Sequence, residues 1–262
     1  MRQLQAGERV DGVTSLDDQL FLLVTDHIDV YSATSLTLSH CIALPGLSAH
    51  KWNDLTSCRR HRCLYVSDCD GKCVRRLGLD GSDSKWPVSN NPRGLWVTKA
   101  ERNLLVTCVG ARKLIVLNCA GDVVREVCFQ PDVELPWHTV QLRPRDVDVQ
   151  FVVVHGLAAT SLHRVCFVDA DGHVLGSFGG RRGSDVEHLN VPCHMAVDER
   201  TRSIYVADYY NRRVTQLSQS LEFNRTVVDL DHLSNEPRRL HFNHVSRRLY
   251  VGHGNSVCVV QL

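Results

Sequence analysis

Six short apolar runs recur along the chain: LFLLV (20–24), LYVSD (64–68), LLVTC (104–108), FVVVH (151–155), IYVAD (204–208) and LYVGH (249–253). Their second positions, Phe21, Tyr65, Leu105, Val152, Tyr205 and Tyr250, stand 40 to 53 residues apart. Each run is preceded by a shorter apolar stretch. Several of these open on Pro-x-x-apolar-x-apolar, as in PRGLWV (92–97), PCHMAV (192–197) and PRRLHF (237–242). Each run is followed by a polar turn and a third apolar stretch, such as KLIVL (113–117), then by an Asn, Asp or Gly turn and a fourth. Runs this short, bounded by turn residues, read as strands, and no window of a dozen residues carries the helical period. Four strands per unit at a fixed spacing is the signature of a propeller blade.

The predicted architecture is therefore all-β: one six-bladed propeller of four-stranded blades spanning residues 1–262. The last unit lacks a fourth strand at the C-terminus, and MRQLQAGERV precedes the first. An N-terminal strand that completes the last blade and closes the ring explains both.

Composition adds limits. The chain has 262 residues, 43% hydrophobic, with a formal net charge of +1. That balance gives none of the basic excess expected of a dedicated nucleic-acid binder. No stretch approaches the roughly 18 apolar residues of a membrane span, and the N-terminus has no signal-like apolar core. The expectation is a cytoplasmic chain that does not engage a membrane, with its eleven cysteines reduced.

Four of those cysteines, Cys58, Cys63, Cys69 and Cys73, fall with His61 inside TSCRRHRCLYVSDCDGKC (56–73). The frame of that stretch repeats at SIYVADYYNRRV (203–214), so the cysteines decorate a blade motif. If LYVSD is a strand, Cys63 and Cys69 lie roughly 20 Å apart and cannot share one zinc ion. Cys69 and Cys73 flank a turn, where free thiols, a disulfide or half a metal site all remain open.

The segment PCHMAVDERTRSIYVADYYNRRVTQLS (192–218) resembles an NHL repeat, with its Pro-x-Gly-apolar-x-Val-Asp, apolar-Tyr-Val-x-Asp and Asn-x-Arg-Val elements. The resemblance is strongest in the second and fifth blades. It implies a six-bladed propeller like the C-terminal recognition domain of tripartite-motif proteins, which bind protein or RNA partners and carry a RING ligase module elsewhere. It also implies an internal Asp–Arg pair, matched in full only by Asp208 and Arg213.

In such propellers one face, built from the blade-entry loops and the loops between second and third strands, meets partners. The entry loops supply Lys51, Trp52, Asn53, Trp86, Arg93, Trp137, His138, Arg181, Arg182, Arg238 and Arg239. The inter-strand loops supply Lys72, Arg112, Lys113, Tyr209, Tyr210 and Arg212. Arginine and aromatic residues dominate both protein hot spots and single-stranded RNA contacts. With the near-neutral charge, the first expectation is a non-enzymatic, monomeric recognition module for a protein or peptide, with no cofactor, and the resemblance implies a place as the substrate-recognition part of a ubiquitin-ligase-like protein. The second is RNA on the same face. A third follows from related propellers that include metal-dependent lactonases and lyases: Asp54, His138 and His194 occupy equivalent entry positions and form a candidate axial metal set.

Overall fold

The computed structural model describes residues 1–49, 52–88, 90–98, 103–142 and 151–262. Its strands form six separate four-stranded antiparallel sheets. Blade 1 comprises Val10–Leu16, Gln19–Val24, His27–Ser32 and Leu38–Ala43. Blade 2 comprises Leu55–Cys58, Cys63–Asp68, Cys73–Gly78 and Asp83–Pro87. Blade 3 runs Pro92–Val97, Leu104–Cys108, Lys113–Leu117 and Val123–Cys128. Blade 4 runs Pro136–Val140, Phe151–His155, His163–Val168 and Val174–Gly180. Blade 5 runs Pro192–Asp198, Ser203–Asp208, Arg213–Leu217 and Phe223–Val228.

Blade 6 has three strands from the C-terminal end, Pro237–Asn243, Arg248–His253 and Ser256–Gln261. Its fourth is Arg2–Gln5, paired with the last so that Arg2 faces Val259 and Gln5 faces Ser256. The N-terminal strand closes the ring, as the sequence predicts.

The burial gradient within a blade explains the apolar runs. The inner two strands pack against neighbouring blades on both faces, so Val10–Leu16 and Phe151–His155 are buried at every position. Strands buried on both faces read as continuous apolar runs and not as alternation. The outermost strands, such as Leu38–Ala43, are mostly exposed.

Two local devices shape the entry face. The inner strand shifts register just inside its start in five blades, between Val10 and Gly12, Pro92 and Leu95, Pro136 and His138, Pro192 and His194, and Pro237 and Arg239. A bulge of this kind bends the strand and re-aims a side chain. Gly94 is required by the resulting crowding, since a Cβ there would lie 2.6 Å from the Trp137 carbonyl oxygen and 2.7 Å from the His138 Cα. The second device is the turn between second and third strands. It places Lys72, Arg112 and Arg212 at φ of 48°, 48° and 46°, a left-handed conformation uncommon outside glycine.

Candidate functional site

The third entry positions converge on the axis. Asp54, His138, His194 and Arg239 form one closed layer there. Asp54 accepts from the Leu55 and Leu95 backbone N–H groups at 2.9 and 2.8 Å. Its carboxylate also meets His194 Nε2 and Arg239 Nε, both at 3.2 Å. Burial opposes the charge on Asp54, but the hydrogen-bonded His194 and the Arg239 guanidinium hold its carboxyl well below the usual range. The Leu240 N–H donates to His194 Nδ1 at 3.3 Å, so the proton of this ring sits on Nε2 and faces Asp54. His138 Nε2 donates to the Leu95 carbonyl at 3.1 Å. Burial pushes both imidazoles below their ordinary pKa, so both are neutral at neutral pH.

Ligand atoms of Asp54, His138 and His194 lie within 4.8 Å of one another, so the residues of the metal expectation do meet. Their arrangement fits an ion poorly. The two imidazoles stack with centroids 3.8 Å apart and planes 20° from parallel, whereas a metal must lie near the plane of each ring it binds. The Asp54 oxygens are already engaged, and the Arg239 guanidinium occupies the layer. As folded, these four residues make a neutral plug that ties blades together.

Above the plug, toward the entry loops, lies a run of rings and guanidinium groups. Trp52 contacts Trp137 at 4.5 Å between centroids and Tyr209 at 6.0 Å, and Tyr209 meets Tyr210 edge-on at 4.9 Å. Arg93 stacks over Trp137 at 4.4 Å and Trp52 at 5.5 Å. Arg238 lies over Trp52 at 5.1 Å and Tyr209 at 5.8 Å, and Arg182 over Tyr210 at 5.9 Å. Burial lowers the pKa of Arg93 from its ordinary value, against the opposing influence of Cys69. No carboxylate among the described residues pairs with Arg93.

The expected contact residues divide by depth. Tyr210, Arg212, Lys72 and Arg112 are exposed, while Trp52, Arg93, Tyr209 and Arg238 are half-buried. Asn53, Trp137, His138 and Arg239 are buried, so in this structure they support the face and do not present themselves to a partner. Asn53 accepts the Cys69 N–H at 3.0 Å, and Trp137 Nε1 donates to the Gly156 carbonyl at 3.3 Å. Lys113 is held by Glu126 at 2.9 Å and Arg212 by Glu236 at 3.5 Å. Trp86 is not on this face at all: it lies on the outermost strand of blade 2, buried against Tyr65 at 5.5 Å. Lys51 lies outside the described residues.

Asp208 and Arg213 form the expected internal pair at 2.7 Å. Arg213 also donates to the Ser184, Asp185 and His188 carbonyls, and Asp208 accepts the Asn190 N–H. The pair pins the 183–190 segment to its blade. All eleven thiols are unpaired. Cys63 and Cys69 sit at opposite ends of a strand, and Cys58 lies 3.3 Å from His61 Nδ1.

Sequence reading missed a cavity of about 690 Å³ on the far side of the plug. It is lined by the distal halves of the inner strands, including Leu55, Trp96, Met195, His241 and Phe242, and ends at His138 and His194. Its signal was the run of apolar residues on the inner strands, such as Val13, Leu55, Leu95, Met195 and Leu240.

No protein-family model matches the chain, and no curated protein matches it. Solved structures do. A hydrazine synthase of Kuenenia stuttgartiensis is 14% identical, with a TM-score of 0.69 over 98% of this chain and 96% of that one. A virginiamycin B lyase of Staphylococcus aureus is 10% identical, with a TM-score of 0.65 over 100% and 88%. A protein of unknown function from Bacteroides thetaiotaomicron is 12% identical, with a TM-score of 0.71 over 97% and 70%. At these identities the likeness concerns the fold, a six-bladed propeller that serves a lyase and a synthase among others. The NHL resemblance rests on the repeat residues alone. No helix among the described residues is long and apolar enough to cross a membrane.

Proposed function

We propose that this propeller is a recognition module that binds an extended protein segment across its entry face, reading acidic and aromatic side chains. The observation that carries this reading is the continuous stack Arg93–Trp137–Trp52–Arg238–Tyr209–Tyr210. Trp, Tyr and Arg are the residue types that concentrate binding energy at protein interfaces. Here they are held in place before any partner arrives, which reduces the ordering cost of association. Arg93, stacked and with no carboxylate partner among the described residues, supplies a cation for an acidic side chain. The NHL-like motifs favour the same face, and with it a place as the substrate-recognition part of a larger ubiquitin-ligase-like protein.

The same stack also suits a nucleobase and phosphate, and this is the second reading. An enzymatic role is compatible with the fold, but Asp54, His138 and His194 are buried and engaged with one another and with Arg239, which favours recognition over catalysis there.

The test is selection of a random-peptide library and a random single-stranded RNA pool on the chain, each at low and high salt. Enrichment of acidic, aromatic peptides, lost on Tyr210→Ala or Arg93→Ala while the melting temperature holds, supports the proposal. Enrichment of RNA with a steep salt dependence, and of no peptide, replaces it with the second reading.

A further inference from the structure

Blade 1 carries a convergence of donors unrelated to the axis or the entry face. His27 and Asp29 are two apart on the strand His27–Ser32, so their side chains leave the same face. Cys41, on the neighbouring strand Leu38–Ala43, is the direct cross-strand partner of Asp29 and shares that face. The Cys41 thiol donates to Asp29 Oδ1 at 2.9 Å, and His27 Nε2 lies 3.2 Å from the same oxygen. The three ligand atoms lie within 4.8 Å of one another.

Those spacings are close to what a tetrahedral ion needs. With ligand bonds of about 2.0 to 2.3 Å, the edges of the tetrahedron are roughly 3.3 to 3.7 Å. Small side-chain movements suffice. Further polar contacts surround the set. Asp26 Oδ1 lies 3.1 Å from His27 Nδ1, which gives the carboxylate–histidine arrangement that orients a metal-binding imidazole and fixes its tautomer. Tyr31 donates to Asp29 Oδ2 at 3.4 Å and steadies the carboxylate. Asp29 is buried, whereas Cys41 is exposed and His27 half-buried, so an ion can enter from solvent.

The other donor clusters lack these features. The axial rings are stacked, and Asp169 in the cluster with Asp171 and His173 already caps the backbone N–H groups of those two residues at 2.8 and 2.9 Å.

We propose that His27, Asp29 and Cys41 bind one Zn²⁺, with a water molecule in the fourth position. Binding breaks the Cys41 S–H bond and displaces any proton on His27 Nε2, and the protons pass to solvent. Thiolate, carboxylate and neutral imidazole then balance the dication.

The experiment titrates the metal-free chain with Co²⁺ as a spectroscopic substitute, then displaces it with Zn²⁺. The expected result is one equivalent of Co²⁺ with a thiolate-to-cobalt charge-transfer band that Zn²⁺ abolishes. Cys41→Ser, an exposed change that leaves melting of the metal-free chain unaltered, removes the band. Asp26→Asn keeps the band and weakens Zn²⁺ affinity about 10- to 100-fold. A band that persists in Cys41→Ser assigns the metal elsewhere and overturns the proposal, as does the absence of any band in the parent chain. As an independent readout, Zn²⁺ slows alkylation of Cys41 but not of the exposed Cys119 and Cys128. Equal rates at all three, with and without Zn²⁺, overturn it too.

Discussion

Arg239 donates through Nη2 to the backbone carbonyl of Asn53 at 2.8 Å, and through Nε to the Asp11 carbonyl at the same distance. One side chain of blade 6 thus reaches the entry strand of blade 1 and the segment leading into blade 2. It spans the boundary between blade 6 and blade 1, which the chain itself crosses only through the short segment 6–9. Its charge is met by Asp54 at 3.2 Å.

Arg239→Met is expected to cost about 3–5 kcal/mol, because it leaves a buried carboxylate short of its cation and two carbonyls without donors. Chemical denaturation measures this. A cost within error of zero would mean that the axial layer does not tie the blades together. Arg239→Met/Asp54→Leu, which removes both charges, is expected to recover part of the loss.

Asp208→Ala is expected to destabilise by a similar amount, about 3–5 kcal/mol, since Arg213 is then buried without its partner. Asp68 holds the equivalent position in blade 2 but accepts from Ser48 Oγ and the Gly71 N–H with no basic partner among the described residues. Its alanine variant should cost less, about 1–3 kcal/mol. Paired unfolding curves decide the order, and a larger loss for Asp68→Ala would contradict the reading of Asp208–Arg213 as the main internal tie.

Stability is expected to fall as the solution is acidified below neutrality. Burial, aided by Arg164, lowers the His155 pKa to about 4. The unfolded imidazole takes up a proton near pH 6.5, whereas the folded one resists until about 4. Stability is therefore full above 6.5 and is lost between 6.5 and 4, on the order of 3 kcal/mol from this residue. Denaturation at stepped pH gives the slope. His155→Gln should flatten it by about one proton, and an unchanged slope would remove His155 as its source.

Gly94→Ala is expected to cost more than the usual glycine substitution in a strand, because its Cβ meets the backbone of blade 4 rather than solvent. A loss above about 3 kcal/mol is expected from overpacking. Thermal unfolding of Gly94→Ala beside Gly110→Ala, whose Cβ has nothing within 4 Å, isolates the steric part.

The blade frame was legible because runs such as LYVSD and IYVAD are buried on both faces and cannot hide among polar residues. The axial set was legible for a related reason: residues at the same place in each repeat must meet where the repeats meet. Depth was not legible. Nothing in the residue types of Asn53, Trp137 and Arg239 separates a face from the layer under it. Trp86 was misplaced because its strand, DSKWP (83–87), is short and mostly polar and reads as a loop. The His27, Asp29 and Cys41 cluster depends on a cross-strand register that no spacing along the chain reveals.

The closing strand has a mechanical consequence. Arg2 faces Val259 and Gln5 faces Ser256 in an antiparallel pair, so residues 1 and 262 leave the blade from the same end. Tension applied between them loads the Arg2–Val259 rung first and the others in turn, as in peeling tape. Such a ring opens by sequential rupture at low force, whereas tension across the strands' opposite ends would have to shear every rung at once.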